Sequence, residues 1–378
     1  MTRRIGIEAQ RIFREKKHGM DFVALEMIRN LQKIDTVNDY VVFVKSDVDK
    51  CLQPTDNFKI VEVPGSTYPF WEQVMLPGAA KSEKVDLLHC TSNTAPVQTR
   101  IPVILTLHDV IYMEKSPFEG GSLYQKFGNM YRRLVVPKVI KQARSIITVS
   151  EYEKNVIALQ FPDIKDKIEV VYNGKSSYFH NKYSEKDIET IQHKYNLPDK
   201  FIFFLGNTDP KKNLDRVVKA YAEYCIQEKN PLKMVIADFS DVKLEAILSN
   251  HGYNNLKNQF VLPGYIANKD LPLIYNKASL FLYPSLRESF GIPIIEAMAC
   301  GVPVITSDAA SMPEVSGNAA HLVNPKNVDE LTEAIRIVTT DKKVKDDLIN
   351  KGLNRAHDFE WINTSRMVHK LYERIILN

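Results

Sequence analysis

Two glutamates, Glu288 and Glu296, flank seven residues in Arg287–Glu288–Ser289–Phe290–Gly291–Ile292–Pro293–Ile294–Ile295–Glu296, and between them the chain turns from loop into helix. Phe290–Gly291 supplies the turn. Pro293 suits the first helical turn, where a missing N–H costs nothing. The unpaired N–H groups of such a helix start attract an anion, for example a phosphate. Eight residues of helix span roughly 12 Å at about 1.5 Å per residue. Paired glycosidase carboxylates stand only roughly 5–9.5 Å apart. The spacing therefore argues against an acid/base dyad and for one extended ligand gripped at two points, with hydroxyls at each end and phosphates on the helix start. Taken alone, the pattern also fits a surface glutamate before a helix and a second one serving as a cap or ion pair.

Three further segments carry residues of chemical interest. Gly206–Asn207–Thr208–Asp209–Pro210–Lys211–Lys212–Asn213–Leu214 follows a strand-like run and opens a helix. A lysine at that strand end can neutralise charge on a leaving diphosphate; the plain alternative is a solvated lysine pair. Thr106–Leu107–His108–Asp109 ends another strand-like run, where a histidine can hydrogen-bond a sugar or serve structure alone. His18–Gly19–Met20–Asp21 lies between the first strand and first helix, amid Arg11, Arg14, Lys16 and Lys17. Such a cluster is usually a solvated loop, but at a site's rim it would attract an anionic acceptor such as a lipid diphosphate.

These residues must be held by elements that alternate strand and helix from end to end, the pattern of a parallel sheet with crossover helices. The first series of strands is Arg4–Ala9, Tyr40–Val44, Lys59–Val63, Asp86–Cys90, Val103–Leu107 and Ser145–Val149. The second is Phe201–Leu205, Lys233–Ala237, Gln259–Leu262, Ser279–Tyr283 and Val302–Thr306. Helical periodicity marks Asp21–Lys33, Leu123–Gln142, Glu151–Leu159 and the closing Trp361–Leu377, with Pro137 expected to kink or split the second. Ser150–Glu151 reads as a helix cap and Tyr172–Asn173–Gly174 as a turn into a linker. No G-x-G-x-x-G follows the first strand, which weakens a nicotinamide-dependent dehydrogenase.

At 378 residues, the chain suggests two domains. Its 44% hydrophobic and 25% charged residues suit a globular fold, and a net charge of +4 gives no case for nucleic acid. No apolar run reaches the roughly 18–20 residues needed to span a bilayer. The N-terminus does not read as a signal peptide. The four cysteines are far apart, with no C-x-x-C, so a metal site or disulfide framework is not expected and a cytoplasmic location is the default. Asp47–Val48–Asp49 is read as a coincidental D-x-D. The basic, aromatic-studded stretch 124–144 suits a helix covering the sheet, or peripheral contact with an anionic inner-membrane face.

The run from Glu288 to Glu296, followed by AMACGVPVITSDAASMPEV, resembles the family 4 retaining glycosyltransferases, in particular their mannosyltransferase-like group. The resemblance implies an α/β chain of the GT-B fold: two facing Rossmann-like domains with the active site in the cleft and a C-terminal helix crossing back. The implied division is an acceptor domain at 1–175, a nucleotide-sugar domain at 176–358 and a returning helix at 359–378. It further implies that Glu296 holds the ribose hydroxyls, Glu288 the sugar hydroxyls, and that Phe290, Gly291 and Ile292 line the diphosphate. Lys212 would contact the phosphates with Lys211 beside it, and His108 would position the sugar. Gly19 would let backbone approach the diphosphate or acceptor, and Gly264 belongs to the loop that lines the base. Many relatives carry an arginine where this chain has Asn207. The implied reaction transfers mannose or glucose from a GDP- or UDP-linked donor to a glycan or lipid-linked acceptor, with anomeric retention and neither metal nor cofactor. The rival readings on the same frame are a sugar-nucleotide epimerase, a phosphorylase and a catalytically silent nucleotide-sugar binder.

Overall fold

The structure, a computed structural model, describes residues 2–114, 123–206 and 209–377. The chain divides into two compact units, Met1–Gly174 with Trp361–Asn378, and Lys175–Glu360. Both crossings therefore lie within two residues of the expected 1–175, 176–358 and 359–378 division.

The first unit holds a seven-stranded sheet of β1 (Arg4–Glu8), β2 (Asp39–Val44), β3 (Phe58–Glu62), β4 (Leu87–Cys90), β5 (Val103–Thr106), β6 (Ser145–Thr148) and β7 (Ile168–Val170). Its order is β3-β2-β1-β4-β5-β6-β7 and every pairing is parallel. Strands covered on both faces read as unbroken apolar runs, and Val-Ile-Leu-Thr of β5 is wholly buried. The register sets Glu8 beside Cys90 and Cys90 beside Leu105, so β1, β4 and β5 end nearly level. The closing helix Trp361–Leu377 lies in this unit, against the helix Gly19–Ile34. Ser365 Oγ donates to the Met27 carbonyl (2.9 Å), and Tyr372 Oη sits 2.6 Å from Nδ1 of the buried His89.

The second unit carries a six-stranded parallel sheet in the order β10-β9-β8-β11-β12-β13. Its strands are β8 (Phe201–Phe204), β9 (Lys233–Ile236), β10 (Phe260–Val261), β11 (Leu280–Tyr283), β12 (Val304–Ser307) and β13 (His321–Val323). Each sheet reverses its order once, at β1/β4 and at β8/β11. In open α/β sheets the crevice beyond the strand C-termini at such a point receives the ligand.

Most sequence-derived elements fall where expected. The three-residue strands β7 and β13 were not expected from the sequence. The helix Leu123–Gln142 is not split at Pro137 but runs on through it. Val135, Val136, Val139 and Ile140 around the proline are buried in the core, and this packing offsets the lost backbone bond.

Candidate active site

At the β8/β11 reversal, Phe204 pairs with Leu282, so the loops that follow these two strands start side by side. Hydrogen bonds join them: Leu286 N–H donates to the Lys211 carbonyl (2.7 Å) and Asn213 Nδ2 to the Pro284 carbonyl (3.1 Å), with a further bond from Asn213 Nδ2 to the Pro325 carbonyl beyond β13 (2.6 Å). Asn213 takes a left-handed conformation, φ 65°, which asparagine tolerates better than most residues. Lys212 is thereby carried to Glu288, with Nζ 2.8 Å from Oε1 and 2.7 Å from Tyr283 Oη, above the tyrosine ring. Lys211 Nζ stands 3.9 Å from both Glu288 Oε2 and Asp209 Oδ2.

Glu288 is buried, which by itself would push its carboxyl up. The charges of Lys212 and then Lys211 outweigh this and hold it below the ordinary 4.5. Burial and the neighbouring Glu288 push the Tyr283 hydroxyl far above its usual range. Glu288 is thus held as an ionised carboxylate against the Lys212 side chain.

The helix Ile292–Ala299 opens at Gly291, whose φ of 103° and ψ of 49° favour glycine. Ser311 Oγ clamps the turn by donating to the carbonyls of Glu288 (2.9 Å) and Phe290 (3.0 Å). Pro293 has no N–H and the Ile294 N–H already donates to the Gly291 carbonyl (3.0 Å), which leaves the N–H groups of Gly291 and Ile292 at the helix start as those that suit an anion. Glu296 lies on the same helix, half-buried, and burial pushes its carboxyl up to about 8. Among the described residues no side chain hydrogen-bonds or ion-pairs with it. A carboxyl so placed suits ligand hydroxyls.

The site residues expected from sequence fall into three groups. Lys211, Lys212 and Glu288 meet in the second unit, and Gly291, Ile292 and Glu296 lie on the turn and helix that follow Glu288. Phe290 lies in the turn before the helix, its ring packed edge-on against Phe359 with centroids 5.7 Å apart. Gly264 lies beyond β10 at φ 76°, its carbonyl accepting from Asp238 N–H at 2.8 Å. Asn207 lies outside the described residues.

Gly19 and His108 belong to the first unit. Gly19 is exposed and opens a helix capped by the reciprocal His18–Asp21 box, and no neighbour lies within 4 Å of where a Cβ would stand. His108 is buried beyond β5, with Nε2 3.0 Å from the Thr91 carbonyl and its backbone N–H bonded to Asn93 Oδ1 (2.6 Å). A carbonyl only accepts, so Nε2 carries the proton and Nδ1 keeps its lone pair. Burial lowers the imidazole's pKa, which favours the neutral ring with Nδ1 as its acceptor atom. Sequence reading passed over Tyr283, Asn213 and Ser311. Asn213 and Ser311 stood inside quoted motifs, but their roles are contacts to distant carbonyls. In the D-x-D, Asp49 pairs with Lys17, and among the described residues no group of His, Cys, Asp and Glu could hold a metal ion.

Comparison with known proteins accords with this geometry. Residues 19–175 match Glycosyltransferase Family 4, and residues 185–355 match Glycosyl transferases group 1. The serotype-specific mannosyltransferase WbdA of Escherichia coli is 32% identical over 196 residues, 51% of this chain and 24% of that protein. The chain thus spans about a quarter of that relative's length. The O-antigen chain mannosyltransferase B of Escherichia coli is 26% identical over 271 residues, covering 71% of this chain and 70% of that one. Among solved structures, Anabaena HepE in complex with UDP-glucose superposes with a TM-score of 0.75 at 18% identity, over 98% of this chain and 99% of that one. Two parallel α/β units, a lysine–glutamate pair beside a glycine-opened helix, and both family matches lead to one assignment: the chain belongs to the GT-B glycosyltransferases that join a family 4 domain to a group 1 domain.

Proposed function

We propose that the chain transfers a hexose from a nucleotide diphosphate sugar to an acceptor hydroxyl during glycan, polysaccharide or lipopolysaccharide synthesis, with retention at the anomeric carbon. The observation that carries this reading is the Lys212–Glu288 pair set beside the Gly291 helix start, with the unpartnered Glu296 on the same helix. Lys212 and the N–H groups at Gly291 and Ile292 hold the diphosphate and stabilise the charge that builds on it as it leaves. Glu296 takes the ribose hydroxyls and Glu288 the sugar hydroxyls. Lys212 already lies against Glu288, so binding exchanges part of an existing ion pair for contacts with ligand. His108 accepts from a sugar hydroxyl at Nδ1 and, being neutral and buried, positions substrate rather than taking its proton.

In the transfer, the bond from C1 to the diphosphate oxygen breaks and the acceptor oxygen bonds C1 on the same face. The acceptor's proton passes to the departing phosphate oxygen. The scheme calls on no metal or protein nucleophile. Mannose is the favoured sugar because the relatives above are named mannosyltransferases, and GDP- and UDP-linked donors are both tested. An epimerase or a silent binder would hold the donor without passing it on.

The helix Leu123–Gln142 also exposes Phe127, Met130 and Leu134 beside Lys126 and Arg133, which supports peripheral contact with an anionic membrane. No described helix is long and apolar enough to cross one. The test of function is a thermal-shift panel of nucleotides and nucleotide sugars without added metal, on wild type and Glu296→Ala, followed by NMR of the product's anomeric configuration with mannoside acceptors. A shift with one nucleotide family, lost in the variant, and an axial product from an axial donor support the proposal. No shift with any nucleotide, or an inverted product, overturns it.

A further inference from the structure

The β1/β4 edge of the first unit holds a polar network that the donor chemistry leaves unused. Glu8 at the end of β1 and Thr91 just past β4 tie this edge: Glu8 Oε2 accepts from the Thr91 N–H (3.1 Å), and Thr91 Oγ1 donates to the Glu8 carbonyl (2.8 Å). Beside it runs Tyr68–Phe70, a π-helical turn Trp71–Met75, and the helix Leu76–Ser82. A π-turn inserts one residue into the helical repeat and frequently marks a functional site.

Here the turn carries Glu72, which is fully buried. Its carboxylate accepts from Tyr68 Oη (2.6 Å), Tyr131 Oη (2.6 Å), Gln73 Nε2 (2.8 Å) and Thr94 Oγ1. Filling the space with leucine would avoid the cost of burying a carboxylate. What the carboxylate adds is a fixed position for two phenol rings, packed edge-on with centroids 5.8 Å apart. Tyr68 remains half-exposed, with the Arg11 guanidinium 5.6 Å from its ring centre. Arg11 Nε in turn lies 3.4 Å from Asp21 Oδ1. Both Tyr68 and His108 lie within electrostatic reach of Arg11.

Charge decides what kind of ligand this suits. Arg11 is balanced by Asp21 and Lys17 by Asp49, so the two cations nearest this network keep little net pull on an anion, while one acidic residue within the run, Glu15, stands against Arg14 and Lys16. A phosphate here would also meet Glu8, Glu72 and Asp21. Asp21 is buried and holds Arg11, whose guanidinium offers donors to sugar hydroxyls, and a held tyrosine ring offers an apolar face for sugar C–H groups. We propose that Tyr68 and Arg11 form an acceptor subsite for an uncharged glycan end, with Glu72 and Asp21 as positioning residues. The proposal rests on the transferase reading and adds the acceptor's chemical class to it.

The test is ligand-observed NMR and calorimetry on the full chain with methyl α-mannoside, mannotriose and glycerol 3-phosphate. The variants are Tyr68→Ala, Tyr68→Phe, Arg11→Lys and Glu72→Gln. Mannotriose is expected to bind wild type, to weaken about tenfold in Tyr68→Ala and Arg11→Lys, and to stay within about threefold in Tyr68→Phe, which keeps the ring. Glu72→Gln is expected to weaken mannotriose several-fold while its melting temperature stays within a few degrees of wild type. A purely structural Glu72 would lower the melting temperature and leave the sugar's affinity alone. If Tyr68→Ala fails to fold, Arg11→Lys and Glu72→Gln decide. Binding of glycerol 3-phosphate but neither sugar overturns the proposal, as does sugar binding indifferent to all four changes. The nucleotide panel on the same wild-type protein separates the two claims: if nucleotides bind and sugars do not, only the acceptor subsite falls.

Discussion

Replacing Glu296 by glutamine tests the donor site through stability rather than turnover. Burial carries the Glu296 carboxyl from the ordinary 4.5 to about 8. Below about pH 4.5 the group is protonated in both the folded and unfolded chain. Between 4.5 and 8 the folded chain keeps a proton that the unfolded chain has released, so stability falls as pH rises. Above about 8 both forms are ionised and the difference levels off. A rise of about three and a half pH decades, at about 1.4 kcal/mol per decade, bounds the loss near 5 kcal/mol. The side chain is only half-buried, and access to water reduces this to about 2–3 kcal/mol. Glu296→Gln should match wild type near pH 5 and exceed it by that amount at pH 9, in urea unfolding followed by far-UV circular dichroism. A nucleotide whose ribose hydroxyls donate to the carboxylate favours its ionised form, so binding at pH 7 should also release close to one proton, read by calorimetry in buffers of different ionisation enthalpy. Parallel stability curves from pH 5 to 9, or a wild type that gains on the variant as pH rises, would refute the reasoning.

Lys212→Met should abolish the thermal shift with nucleotide diphosphates and cost about 3 kcal/mol of stability by leaving Glu288 buried without its main partner; adding Glu288→Gln should recover most of the stability but not the binding, read by denaturant unfolding and thermal shift. Gly291→Ala should cost about 1–2 kcal/mol, because its φ is 103° and a Cβ would stand 3.1 Å from Ile294 Cδ1; equal stability with unchanged nucleotide affinity would contradict the role given to this turn. His89, between Tyr372 Oη and Thr106 Oγ1, has its pKa lowered by burial to about 3. The unfolded chain takes up a proton below about 6.5 that the folded chain refuses, so wild type should lose up to about 1.4 kcal/mol per pH decade from 6.5 toward 3, and His89→Gln should flatten that fall in equilibrium unfolding.

Much of this site was legible because its chemistry lies in short, contiguous motifs. The glycine-opened helix start needs only Phe290–Gly291 and Pro293, but helical rise does not set the distance between its two glutamates, because the helix begins at Ile292 and Glu288 lies in the loop before it. The alternation of strands and helices set the fold class, since strands buried on both faces read as apolar runs. Partnership between segments was not legible. Glu288 and Lys212 are 76 residues apart, and they meet because β8 and β11 are neighbours in the sheet. The ionisation of each carboxyl was equally hidden. Glu288 and Glu296 are the same residue type on either side of one turn, yet two lysines hold one below its ordinary value and burial lifts the other. The Phe290 ring, in the turn that opens the helix, faces inward because Phe359 is there to receive it.

The sequence by itself determined which local structures form and which residue types were available: the parallel α/β pattern, the two-unit division, the helix start that suits a phosphate and the lysines able to balance it. Tertiary structure alone decided which of those residues share a site, which protonation state each holds, and that Tyr68, Glu72, Arg11 and Tyr131 gather in one network. Local structure follows from backbone geometry and side-chain periodicity within a few residues. Pairing and burial depend on strand order, which brings together groups that no spacing along the chain relates.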